Sequence, residues 1–297
     1  MRPSIRKSMT SSIVGLGGFA SVSSSAASVS PGQEGGAGKF ARRTLGKTGM
    51  QLPVITMGVM NTSNPALVRA ALDAGLFFLD TAQGYQRGTN ESMIGEVLKG
   101  RPRDTFALAT KSNLPRNQTT GQYAADATEE AYTKRIDTSL KNLGLDHVEI
   151  YHHHGATSRD GALYEPILNA LEKAKKAGKI RFAGITTHRN EPEVIHAAVD
   201  SKVYDVVLTA YNFRQKHVEE VKKAIAQAAE AGLGVIAMKT IGGRAEGAYP
   251  DQAVDARVAL KWALQDGNVH TVITGFTTFD QLELDLTVLK DLSLTKQ

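Results

Sequence analysis

The 297-residue sequence contains no cysteine. That absence excludes disulfides, Cys-ligated zinc, iron–sulfur clusters and thiol catalysis, and leaves the compartment open. Long apolar runs are missing too. Nothing approaches the ~18–20 consecutive apolar residues of a membrane span, so no membrane partner is expected. Charge of one sign is scarce. The formal net charge is +5, and Arg2, Arg6 and Lys7 supply three of these charges before the first acid, Glu34. The remainder is near neutral with its charges interspersed, which gives no electrostatic reason to expect nucleic acid as a partner. What the chain does have, 41% hydrophobic and 22% charged residues, suits a globular protein long enough for one large α/β domain or two small ones.

Residues 1–38 differ in composition from the rest. A basic head (Arg2, Arg6, Lys7) precedes the weakly apolar Ile13–Ala20 and the small, polar Ser23–Ser28. That order is the pattern of a secretory signal peptide. A disordered tail is the second reading, supported by the Gly/Ser-rich residues 28–38, and an organellar transit peptide the third. An exported, periplasmic protein follows from the first reading and a cytoplasmic one from the second. In each case the folded unit spans residues 39–297.

From Arg43 onward the chain opens with a small hairpin, Arg43-Thr44-Leu45 and Met50-Gln51-Leu52 around a Gly-flanked turn. It then alternates. Strand-like apolar runs fall at 54–59, 76–79, 105–109, 147–152, 180–185, 206–210, 234–238 and 271–274. Helical patterns lie between and after them at 65–74, 91–99, 124–143, 163–177, 192–200, 218–231, 252–265 and 279–289. Gly75, Gly144, Gly178, Gly232 and Gly267 follow helices, where a left-handed cap favours glycine. Eight such pairs predict a (β/α)8 barrel. A doubly wound open sheet is the rival, but such a nucleotide-binding sheet carries a G-x-G-x-x-G turn after its first strand. Here that strand is followed by Gly58-Val59-Met60-Asn61-Thr62.

In a barrel the strand C-termini converge on one face. The second strand ends in Asp80, with Tyr85 on the loop beyond. The third ends in Ala109-Thr110-Lys111 and the fourth in Tyr151-His152-His153-His154. Each residue alone has a bland role: a turn former, a packed ring, a solvated charge, a satisfied polar group. Together they make an acid-catalysis set. A phenol's pKa, about 10, is high for a proton donor at neutral pH, and a nearby ammonium lowers it. The ammonium needs a carboxylate partner, and a neutral His can orient a carbonyl oxygen. The three-His run is a poor zinc site. Strand alternation separates His153 from His152 and His154, and two His with no carboxylate or Cys fall short of a ligand set. No metal is expected, and His152 or His153 is expected to be packed or hydrogen-bonded structure.

Residues 41–290 resemble the aldo-keto reductase superfamily. The resemblance rests on Leu79-Asp80-Thr81-Ala82 with Tyr85 and Gly95, on Ala109-Thr110-Lys111, and on Val148-Glu149-Ile150-Tyr151-His152-His153-His154. It implies a barrel that reduces a small-molecule carbonyl, an aldehyde or ketone, with NADPH, NADH being the alternative. It assigns the general acid to Tyr85, its tuning to Lys111 and Asp80, and substrate orientation to His154. It further implies a cofactor grip from Asp80, Thr186, Thr187, Tyr211, Met238, Lys239, Thr240, Gly275, Phe276, Thr277, Gln281 and Asp285.

The chain departs from the family pattern at several of these positions. Thr187 stands where Asn is commoner, Leu208 where a Gln often binds the carboxamide, and Met238 where a ring commonly stacks. NADPH-preferring members place Lys or Arg near Gln281, whereas Asp280 here would repel a phosphate. A short C-terminal tail leaves selectivity to residues 112–123, 155–162 and 241–250. A monomer or weak oligomer is expected. Two other functions compete with carbonyl reduction: a non-catalytic dinucleotide-binding or interaction subunit on the same barrel, and an unrelated barrel enzyme such as a metal-dependent isomerase.

Overall fold

The structure, a computed structural model, describes residues 40–117, 120–242 and 254–293. The leader reading therefore lies outside the described residues. The chain enters with an antiparallel hairpin, β1 (Arg42–Thr44) and β2 (Gln51–Pro53), joined through a 3₁₀ turn at Gly46–Thr48. The pairs that follow are β3 (Ile55–Gly58) and α1 (Pro65–Ala74), β4 (Phe78–Asp80) and α2 (Asn90–Leu98), β5 (Ala107–Ser112) and α3 (Glu129–Leu143). Next comes β6 (Val148–His153) with α4 (Arg159–Ala162) and α5 (Glu165–Lys176). The chain continues through β7 (Ile180–Thr187) and α6 (Glu191–Ser201), β8 (Val206–Ala210) and α7 (Val218–Glu230), β9 (Gly234–Met238) and α8 (Ala256–Gln265), and β10 (Thr271–Thr274) and α9 (Phe279–Lys290). Strands β3 to β10 pair in sequence order, each parallel to the next, and β10 closes on β3 through Val272↔Ile55 to Thr274↔Met57. The expected (β/α)8 barrel is the fold.

Two apolar cores divide the barrel. The inner one holds Phe78, Ala107, Ala109, Ile150, Val206, Leu208 and Ile236, capped by Leu45, Met50 and Leu52 of the hairpin. The hairpin is thus a plug at the N-terminal end. It docks closely: a Cβ on Gly46, whose φ is +50, would lie 2.5 Å from the Gly234 nitrogen. Arg43 fastens the plug to α8, its guanidinium donating to the carbonyls of Leu264 (2.7 Å), Asp266 (3.0 Å) and Val269. These carbonyls lie at and just beyond the helix end, where a guanidinium satisfies otherwise orphaned acceptors. The outer core lies between sheet and helices and includes Val207, Tyr132, Ile136 and Leu143.

Local chemistry moves some boundaries from where periodicity puts them. Helix α3 begins at Glu129 rather than 124, because Thr128 caps it by accepting the Ala131 N–H at 3.2 Å. The pattern at 163–177 becomes α5 alone, starting at Glu165 with Tyr164 as the cap and Pro166 in the first turn, while the single-turn α4 lies just before it. Past the helix ends, Gly75, Gly144, Gly178 and Gly232 are left-handed as expected. Gly267 is not: α8 ends at Asp266 in an extended conformation (φ −72, ψ 111).

Candidate functional site

Three neighbouring strands and one loop bring the four expected residues together at the C-terminal rim. Asp80 closes β4 and Lys111 lies in β5, both facing inward and only 2% exposed. The Lys111 ammonium donates to Asp80 Oδ1 and, at 2.8 Å, to the carbonyl oxygen of Thr81. Its nitrogen stands 4.8 Å from the centre of the Tyr85 ring. The Tyr85 and His154 rings meet edge-on, 6.0 Å apart at 83°. Backbone pairing continues past β4 to hold the Tyr85 loop: Thr81 N–H donates to Ala109 O (2.9 Å) and Gln83 N–H to Lys111 O (3.0 Å). Gln83 and Arg135 also exchange hydrogen bonds at 3.0 Å. Immediately after Tyr85, Gln86 (φ 50) and Arg87 (φ 57) are both left-handed. Non-glycine residues adopt that conformation at a cost, and such strain clusters where function needs a fixed geometry.

The electrostatics correct one expectation. Burial raises the Tyr85 pKa, and Lys111 opposes this without reversing it, so the phenol stays above its ordinary value rather than below it. For Lys111, burial works downward, but Asp80 and then Tyr85 overcome it and the ammonium is held above its usual range. His154 is neutral: burial first, then the Lys111 charge, push it down to about 3. Asp80 Oδ2 is buried and has no hydrogen-bond partner among the described residues.

The other two histidines divide as strand alternation requires. His152 faces the barrel interior with both ring nitrogens buried and without a hydrogen-bond partner among the described residues. Its ring fills the space that a side chain on Gly184 would take, since a Cβ there would lie 2.1 Å from Nδ1. His153 faces outward and hydrogen-bonds two tyrosines, Tyr123 at 2.7 Å and Tyr204 at 3.0 Å.

The expected cofactor residues separate into those at the mouth and those elsewhere. Thr186, at the end of β7, already accepts the Gly155 N–H at 2.7 Å. Met238 closes β9 half-buried, followed by Lys239 (φ 54) and the buried Thr240. Thr187 is spent locally, its hydroxyl donating to Arg189 O at 2.8 Å. Tyr211 does not join the mouth. It is 1% exposed in the outer core, its ring 4.8 Å from Trp262 of α8 and its hydroxyl donating to Asp266 (3.0 Å). Alternation already contains that result, because the register that puts Val206 and Leu208 inside puts Tyr211 outside.

Phe276 is likewise buried in the outer core. Gly275 is not left-handed, and a Cβ on it would make only ordinary contact, 3.5 Å from Asn61, so no neighbouring protein atom among the described residues demands a glycine there. Gln281 turns back to accept the Thr277 N–H at 2.8 Å. Asp285 is buried, accepts the Thr274 hydroxyl at 2.5 Å, and is pushed up to about 6 by burial. Sequence reasoning missed the Thr81 carbonyl as the second acceptor for Lys111, and Asn90, which accepts from the Thr81 hydroxyl (2.7 Å) and donates to Val59 O. Of the expected selectivity segments, 118–119 and 243–250 lie outside the described residues.

Residues 50–255 match the model of the aldo/keto reductase family. The chain is 36% identical over 126 residues to the aldo-keto reductase yakc [NADP(+)] of Schizosaccharomyces pombe, an alignment that takes in 42% of this chain and only 36% of that one. It is 22% identical over 316 residues to L-glyceraldehyde 3-phosphate reductase of Escherichia coli (strain K12), covering 87% of this chain and 90% of that one. Among solved structures, the aldo-keto reductase AKR11C1 from Bacillus halodurans superposes with a TM-score of 0.71 at 24% identity, over 86% of this chain and 93% of that one. At that identity the superposition shows the fold alone.

Proposed function

The chain belongs to the aldo/keto reductase family, and from that premise we propose that it reduces an aldehyde or ketone to an alcohol with a nicotinamide dinucleotide, Tyr85 giving the proton. The observation that carries this reading is the Lys111 ammonium, held by Asp80 and the Thr81 carbonyl and set against the Tyr85 ring. The raised pKa of Tyr85 keeps its hydroxyl protonated at neutral pH, the state a donor needs. As the proton leaves, the phenolate forms beside a fixed, buried ammonium, where such a charge stabilises it most. Neutral His154, edge-on to Tyr85, offers a ring N–H to the same carbonyl oxygen.

The residues present fit a dinucleotide. Asp80 Oδ2 is a buried acceptor with no partner among the described residues, and Thr186, Met238, Lys239 and Thr240 rise at the same rim. These would hold it, with Thr277 and the first turn of α9 beside the phosphates. When bound, it supplies the hydride. NADPH is the proposed reductant on the strength of the fission-yeast relative's name, while exposed Asp280 in the first turn of α9 weighs toward NADH.

Two observations favour a second reading, a dinucleotide-binding subunit without turnover. Leu208, at the expected carboxamide position, is wholly buried in the inner core, and the Thr277 N–H is already taken by Gln281. Parallel fluorescence titrations with NADPH and NADH, followed by turnover of a panel of aldehydes, separate the two. Micromolar binding with turnover supports the reductase. Binding with no turnover of any carbonyl favours the subunit, and no binding of either nucleotide sinks both.

A further inference from the structure

The loop between β5 and α3 folds as a small hairpin. Arg116 bridges to Tyr123, Asn117 N–H donates to Gln122 O (2.9 Å), and Ala124 N–H donates to Pro115 O (3.1 Å). It leans on the β6 end of the site at three points. Asn113 Nδ2 donates to the carbonyl of His154 at 2.6 Å, and Arg116 donates to the carbonyl of Gly155. The Tyr123 hydroxyl reaches His153 Nε2 at 2.7 Å. The Tyr123 ring stacks on Tyr164, 4.0 Å between centres, and Tyr164 is tied by its own hydroxyl to Ala127 O at 2.8 Å.

The protons in this chain have one consistent order. Tyr204 gives its only hydroxyl proton to Ala162 O at 2.8 Å. Its oxygen must therefore accept from His153 Nδ1, 3.0 Å away. His153 is wholly buried and neutral, since burial and the Arg116 charge push it down to about 3, so its other nitrogen is an acceptor. Tyr123 then gives its single proton to His153 Nε2 at 2.7 Å rather than to Asn113 Oδ1 at 3.0 Å, an oxygen that already accepts the Leu114 N–H at 2.8 Å.

We propose that His153 is a positioning residue that latches the two described arms of this loop, 113–117 and 120–123, through Tyr123, making them a fixed wall beside His154 and thereby setting which carbonyl compounds fit. The proposal rests on the carbonyl-reducing reading only where it concerns substrates. A neutral His accepting one proton and donating another in opposite directions is a two-ended clamp. Apolar replacement leaves the buried Tyr204 hydroxyl and the half-buried Tyr123 hydroxyl with one partner fewer each.

The test uses His153→Leu, His153→Gln and Tyr123→Phe in the full chain, with amide exchange of Asn117, Gly121 and Ala124 read first. His153→Leu and Tyr123→Phe are expected to speed exchange there at least tenfold while β8 and β9 amides hold. His153→Gln, which keeps a donor and an acceptor, is expected to stay within threefold of wild type. In turnover, the kcat/KM ratio between an aryl aldehyde and a two-carbon aldehyde should shift at least fivefold in the first two variants, through KM, with kcat for the small aldehyde within twofold.

Nitrogen NMR of wild type should find the Nδ1–H tautomer of His153. Unchanged exchange in both variants, or the opposite tautomer, overturns the latch, whatever the enzyme does. Faster exchange with an unmoved substrate ratio overturns the positioning role. If wild type turns over no carbonyl at all, the reductase reading fails, and exchange and tautomer still decide the latch.

Discussion

The ammonium of Lys111 lies 4.8 Å from the centre of the Tyr85 ring, yet Tyr85 is left harder, not easier, to ionise. Burial outweighs the neighbouring cation in the resting site. In the proposed reduction, the cation would therefore receive the phenolate after proton transfer rather than prepare it beforehand. Tyr85→Phe keeps the ring against Lys111 and removes only the hydroxyl. Turnover of a reactive aldehyde should fall by roughly 10²–10⁴-fold, the span of general acid catalysis, with the thermal midpoint within a few degrees of wild type. Activity within twofold of wild type would remove Tyr85 as the donor.

The Lys111–Asp80 pair is buried on both sides. Lys111→Met leaves a carboxylate with no countercharge in the barrel, and removing one partner of such a pair costs about 3–5 kcal/mol. Chemical denaturation should show that loss. The double variant Asp80→Asn, Lys111→Met should recover most of it while remaining inactive. A double variant no more stable than Lys111→Met would mean that the pair is not coupled.

His152 and Gly184 share one space. Gly184→Ala puts a Cβ 2.1 Å from His152 Nδ1, and overpacking of that kind costs about 1–3 kcal/mol. In a His152→Ala background the same change should cost little. His152→Leu removes two buried nitrogens that have no hydrogen-bond partner among the described residues, and replacing unsatisfied polar atoms with apolar ones is neutral or stabilising. A double-mutant cycle by denaturation checks both: equal cost of Gly184→Ala in the two backgrounds refutes the shared space.

Three adjacent histidines predict acid sensitivity. Burial is the main cause holding all three down, His153 and His154 to about 3 and His152 well below 6.5. The unfolded chain binds protons on each near pH 6.5 while the folded chain does not. Stability is therefore full above about pH 6.5 and falls as the pH drops toward 3. The slope is about 4 kcal/mol per pH unit when all three unfolded-state sites are protonated. Urea midpoints between pH 7.5 and 4.5 should show the fall, and His153→Gln should flatten it by about one third. A flat profile over that range would contradict neutral burial.

The barrel is legible in the sequence because strands buried on both faces read as short, continuous apolar runs, and the helices between them carry a 3.6-residue stripe. Thr128 and Pro166 shift the helix starts because capping is decided by one or two residues rather than by periodicity. Asp80, Lys111 and His154 are legible because a strand end fixes position and inward parity together. Tyr211 shows the same rule unused: two inward neighbours, Val206 and Leu208, already send it outward. Gln281 and Asp285 could not be read in this way. Whether a loop or helix side chain faces a ligand or turns back onto Thr277 or Thr274 depends on backbone angles that residue identity does not set.

The plug has a practical corollary. Phe40 lies against Gly75 at the end of α1, so the described chain enters at the face opposite Tyr85, beside the Arg43 clasp. The final helix, α9, runs back toward that same face from the rim. A solid support or fusion partner joined directly to Phe40 therefore attaches on the far side of the molecule, and immobilised protein should present the C-terminal rim with Tyr85 and Lys111 to the bulk solution.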